Sequence, residues 1–70
     1  MKKNRPTTLP EIGRLILIKE KNIWYKYQAM VTRHIQDTSF VIYSKIRVDH
    51  GLPPIYSFKP ENVTWSYVNK

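Results

Sequence analysis

Two histidines, five carboxylates, four serines and no cysteine are the raw material for catalysis or metal binding in this sequence. His34 and His50 are the side chains that titrate near neutrality when unperturbed. A metal site of the zinc type needs three or four convergent His, Cys or carboxylate ligands. Neither an HExxH spacing nor clustered carboxylates accompany either histidine. Both are expected to be solvated or locally hydrogen-bonded. Ser39, Ser44, Ser57 and Ser66 have no elbow motif and no adjacent base, and the scattered carboxylates offer no acid and base pair. Gly13 and Gly51 are the two glycines, too few for a phosphate-cradling loop. These residues predict no enzyme, no metal and no cofactor.

Charge and aromatics carry the remaining signal. Twelve Lys and Arg against five Asp and Glu give a net charge of +7, with an isoelectric point near 9.9. Lysine and arginine neutralise phosphates, while exposed aromatic rings stack on bases or wedge between them. The residues expected to contact nucleic acid are Lys2, Lys3, Arg5, Trp24, Lys26, Arg33, Tyr43, Lys45 and Arg47. On this reading the chain is a small non-catalytic binding module that holds DNA or RNA with weak sequence discrimination. The alternative is a small adaptor or inhibitor, of the phage or bacterial type, that grips a partner protein through an exposed apolar strand with Trp24 and Met30 as anchors. Excess positive charge also serves plain solubility. A chain of this charge is not a mimic of DNA.

The elements that must position these residues read as strands. Eight Ile, five Val, five Thr and nine aromatics stand against one Ala and four Leu, and β-branched and aromatic side chains favour a pleated sheet over a helix. Residues 1–10, basic and holding Pro6 and Pro10, read as a flexible arm. Leu15-Ile16-Leu17-Ile18 is a first strand. If Ile16 and Ile18 face the core, Leu15 and Leu17 form an outward apolar patch suited to a homodimer.

From Trp24 to Gln36 period-2 alternation turns Tyr25, Tyr27, Ala29, Val31 and Ile35 inward, with Arg33 as a misfit. From Phe40 to Val48 it turns Phe40, Ile42, Ser44, Ile46 and Val48 inward and Val41, Tyr43, Lys45 and Arg47 outward. A hairpin centred on Asp37-Thr38 joins the two, pairing Ile35 with Phe40, Arg33 with Ile42 and Val31 with Ser44. His34 falls on its outer face. A loop over 49–54, a short strand Ile55–Phe58, a single 3₁₀ turn near Lys59–Asn62 and a last strand Val63–Val68 complete the chain. The expected core is Ile16, Ile18, Tyr27, Ala29, Val31, Phe40, Ile42, Ile46, Val48, Phe58, Val63 and Trp65.

In that order, a glycine leads into an apolar strand (Gly13-Arg14-Leu15-Ile16-Leu17-Ile18) and then a charged loop. Next come Trp24-Tyr25, the small-x-aliphatic Ala29-Met30-Val31, a polar hairpin, and a Lys59-Pro60-Glu61-Asn62 turn before the final strand. This resembles a small SH3-like barrel, as in Tudor-like and KOW-like modules, over roughly residues 11–68. The resemblance implies an all-β fold, a five-stranded antiparallel SH3-like barrel over 11–70 behind the arm. The aromatic and acidic cage of methyl-ligand Tudor domains is not present as a set, so the barrel carries over and the ligand does not. No apolar run approaches the ~20 residues of a membrane span, and the start is not of the signal-peptide kind. A cytoplasmic protein without a membrane partner is expected.

Overall fold

The computed structural model describes residues 8–68. Five strands form one antiparallel sheet: β1 (Leu15–Glu20), β2 (Tyr27–Ile35), β3 (Ser39–Tyr43), β4 (Ile55–Phe58) and β5 (Val63–Tyr67). The spatial order is β4-β3-β2-β1-β5. The class is all-β, and the sheet is compatible with a small β-barrel-like fold. It is not closed, because no ladder joins β4 to β5 among the described residues. A 3₁₀ turn over Pro60–Asn62 links those two edge strands.

Alternation is strongest where it was most legible. In β1 Ile16 and Ile18 are fully buried while Leu15 is exposed and Leu17 half-buried. Tyr27, Ala29 and Val31 join them from β2, Phe40 and Ile42 from β3, Phe58 from β4 and Val63 from β5. Ile46 and Trp65 pack at the margin of this cluster. Val48 does not; it is 52% exposed, whereas Val41, expected on the outer side, is only 6% exposed between its partners Arg33 and Ser57. Leu9 also packs against the cluster and Pro10 is fully buried.

The β2–β3 hairpin departs from the expected register. Ile35 pairs with Ser39, His34 with Phe40 and Arg33 with Val41; beyond a bulge at Thr32, Val31 pairs with Ile42 and Met30 with Tyr43. The turn takes three residues, with Gln36 at φ +53°, so the pairing is displaced by one from a two-residue turn. The bulge displaces it once more. Two residues of the bulged strand then oppose one of its partner, which reverses the inward phase of β2 from odd to even positions. Arg33 therefore turns outward and His34 turns in beside Phe40.

The expected third strand also ends early. Ser44 leaves the sheet, and residues Lys45–Asp49 form a short helix, α1. The Ser44 hydroxyl donates to the Gln28 carbonyl at 2.7 Å and its N–H to Pro54 O at 2.9 Å, so both polar groups are satisfied at the strand exit. The helix closes with the Leu52 N–H on Arg47 O and the Gly51 N–H on Val48 O. Gly51 sits at φ +79°. This is the Schellman arrangement, where glycine takes the left-handed position without a Cβ penalty. Lys45 and Arg47 are consequently helical residues, not members of a strand face.

Candidate functional site

The two sides of the sheet differ in chemistry. Residues paired across strands share a face, so the ladders trace which side chains are neighbours. On the outer face Leu15 pairs with Met30, Met30 with Tyr43 and Tyr43 with Ile55, one continuous row across four strands. These four are 43%, 36%, 43% and 61% exposed, well outside what the core covers. Lys19 lies on the outer face of β1, Lys26 precedes β2 on the same side, and Arg33 stands at the bulge. Lys45, at the start of α1, lines a shallow depression of about 380 Å³ with Leu15, Gln28, Met30, Tyr43 and Ile46. Lys26 lines a smaller one of about 200 Å³ beside Leu17, Thr64, Trp65 and Ser66.

Among the described residues, no outward strand position carries a carboxylate. Glu11 precedes β1, Glu20 points inward, Asp37 is in the hairpin turn, Asp49 is in α1 and Glu61 is in the 3₁₀ turn. Lys19, Lys26, Arg33 and Lys45 take part in no ion pair among the described residues; the two ion pairs found there are Arg14–Glu11 and Arg47–Glu20.

Of the residues expected to contact nucleic acid, Lys26, Arg33, Tyr43 and Lys45 are brought to this side. Trp24, in the loop before β2, is 88% exposed and packs edge-on against Tyr25. Lys2, Lys3 and Arg5 lie outside the described residues. Arg47 needs correcting: it is only 3% exposed and its charge is spent internally. Its guanidinium pairs with Glu20, donates to Pro53 O at 2.6 Å and to the Tyr27 hydroxyl at 3.1 Å, and lies 4.7 Å from the Tyr56 ring centroid. A short helix points Arg47 inward with Ser44, three residues earlier, where a strand would have sent it out.

Tyr27 completes that network by donating to the Glu20 carboxylate. Burial pushes its phenol above the ordinary range, the Glu20 hydrogen bond adds to this, and Arg47 opposes it. Below about pH 10 the folded and unfolded chains both keep the phenolic proton. Above it the unfolded chain releases the proton while the folded chain holds it, so stability falls as pH rises. Urea midpoints measured near pH 9 and near pH 11 should therefore drop further for the wild type than for Tyr27→Phe. An equal drop in both would show that Tyr27 is not the source.

Neither histidine forms part of a cluster. His34 Nε2 donates to Pro10 O at 2.7 Å, and His50 Nδ1 donates to Ile46 O at 3.0 Å while its ring stacks on Tyr25 at 4.5 Å. Carbonyl oxygens only accept, which places the proton on those nitrogens. No group of three potential metal ligands occurs among the described residues. No helix there is long and apolar enough to cross a membrane.

No family model, curated protein or solved structure matches the chain. The site rests on its own geometry.

At the open β4 edge of the sheet, a groove of about 590 Å³ lies between the β1–β2 loop and the β4–3₁₀ segment. Its walls include Lys21, Asn22, Tyr56, Phe58, Lys59 and Asn62. Charge and alternation along the hairpin do not reveal it. Lys21-Asn22 and Lys59 with Asn62 were visible as polar loop residues, but only folding brings the two loops together.

Proposed function

We propose that the chain is a non-catalytic binding module of the SH3-like type whose outer sheet face receives nucleic acid. The supporting observation is electrostatic: Lys19, Lys26, Arg33 and Lys45 lie on or beside the face with no ion pair among the described residues, and no outward strand position there carries a carboxylate. Each cation can neutralise a phosphate and release a condensed counterion. Tyr43, at the centre of the apolar row, offers a ring edge and face to a base. These contacts address the backbone and the flat faces of bases, so they position a strand without reading its sequence. The SH3-like assignment draws on the meander order of the strands and the 3₁₀ turn between the last two.

The test is the double variant Lys26→Ala/Lys45→Ala, both exposed and outside the core. Fluorescence anisotropy with labelled single- and double-stranded oligonucleotides, followed across salt, should show weaker binding. The salt dependence should become shallower by about one unit for each lost phosphate contact. An unchanged slope with an intact circular-dichroism spectrum would remove this face from consideration.

The apolar row favours a second reading, in which an acidic protein surface with an apolar centre takes the same face. Such a complex would hold at ionic strengths that release nucleic acid, and Met30→Ala would weaken it more than Lys26→Ala.

A further inference from the structure

We infer that the groove beside Tyr56 is a pocket for one unpaired nucleotide, with its base stacked on the Tyr56 ring and its phosphate against Lys21 and Lys59. The inference rests on the nucleic-acid reading for the class of ligand and adds a separate site at the β4 edge of the sheet. Tyr56 pairs with Ile42, so its side chain falls on the inner side. It nevertheless remains 47% exposed, because β4 is an edge strand.

The ring is held from one side. Arg47, fixed by Glu20, Pro53 and Tyr27, lies over it at 4.7 Å and lines the neighbouring cavity of about 520 Å³ but not the groove. Phe58 braces it at 5.1 Å between centroids. A platform whose rotamer is already fixed loses little entropy when a flat ring stacks on it. The groove itself is electropositive: Lys21 and Lys59 are in no ion pair among the described residues, and Glu20, the one carboxylate in its wall, is neutralised by Arg47. Asn22 and Asn62 supply amide donors and acceptors for base edges, and Ser39 and Ser57 supply hydroxyls. Its size, about 590 Å³, is that of a small-molecule site. A base inside a duplex cannot reach such a pocket, so the site selects single strands.

The test titrates the whole chain with adenosine monophosphate, and separately with inorganic phosphate, by two-dimensional NMR. Adenosine monophosphate should shift the resonances of Asn22, Tyr56 and Asn62, whereas phosphate alone should bind more than about ten-fold more weakly for want of the stack. Tyr56→Phe should retain binding and Tyr56→Ala should lose about ten-fold or more. Lys21→Ala/Lys59→Ala should weaken the nucleotide without disturbing the fold, while Lys26→Ala/Lys45→Ala should leave it unaffected. Absent shifts, or shifts that survive unchanged in both Tyr56→Ala and Lys21→Ala/Lys59→Ala, would overturn the pocket. In that case oligonucleotide binding that still depends on Lys26 and Lys45 would leave the outer-face reading standing.

Discussion

Arg47→Ala should lower the unfolding free energy by about 3–5 kcal/mol, the cost of removing one partner from a buried ion pair. Its guanidinium is 3% exposed and the Glu20 carboxylate 16%, so water cannot replace what is lost. Alanine leaves the Glu20 charge uncompensated and takes the side-chain donors away from the Tyr27 hydroxyl and Pro53 O. It also uncovers the faces of Tyr56 and Phe58 on which the guanidinium lies. A domain of this length holds only about 4–10 kcal/mol in total. The variant should thus be largely unfolded at room temperature or melt far below the wild type, as followed by tryptophan fluorescence in urea. Arg47→Lys should restore little, because a single ammonium cannot reproduce the guanidinium's fork of donors or its flat stack. A loss under about 1 kcal/mol would show that the network is a solvated surface pair. The position is thus structural, and a nucleic-acid assay of an Arg47 variant would report on folding.

Phe40→Ala should cost a similar amount, about 3–5 kcal/mol, for a different reason. Phe40 is fully buried and meets the Phe58 ring at 6.2 Å between centroids. Its removal forfeits apolar burial and leaves a cavity that a thin core cannot refill without displacing β4. Differential scanning calorimetry of Phe40→Ala beside Phe40→Leu separates the two contributions, with leucine expected to recover a large part of the loss. A near-wild-type melting temperature for the alanine variant would mean that the strands close over the gap.

Much of the sheet was readable because its signals are local. A first strand at Leu15–Ile18, the strand Ile55–Phe58 and the 3₁₀ turn before β5 all follow from neighbours in sequence, whereas which face of the unbroken run Leu15–Ile18 turns inward does not and is decided by the ladders to β2 and β5. The hairpin was half readable. Arg33 stood out as a misfit in an otherwise regular alternation, and the structure explains it by the bulge at Thr32 that turns it outward. The irregularity was visible, but its remedy was not, since a one-residue slip costs nothing in local propensity and is decided by what lies across the ladder.

The helix had a signal that alternation masked. Ser44 and Gly51 stand where a helix start and a helix stop belong, yet Lys-Ile-Arg-Val reads equally well as a strand of period two. Five residues are too few for either period to win. Tertiary bonds decide: the Ser44 hydroxyl to Gln28 O, the Ser44 N–H to Pro54 O, and above all the guanidinium of Arg47 to Glu20, twenty-seven residues away.

By itself, then, the sequence determined an all-β chain, most of its apolar core, and a surplus of positive charge requiring an acidic partner or plain water. Folding alone decided which cations remain available. It drew Arg47 inward, where the desolvated charge is held by Glu20. It gathered Lys19, Lys26, Arg33 and Lys45 around one face whose outward strand positions hold no carboxylate, and set Lys21 and Lys59 on a separate groove. Charge is a sum over residues and can be counted along a chain, whereas an electrostatic surface depends on distance and burial, which exist only once the strands have met.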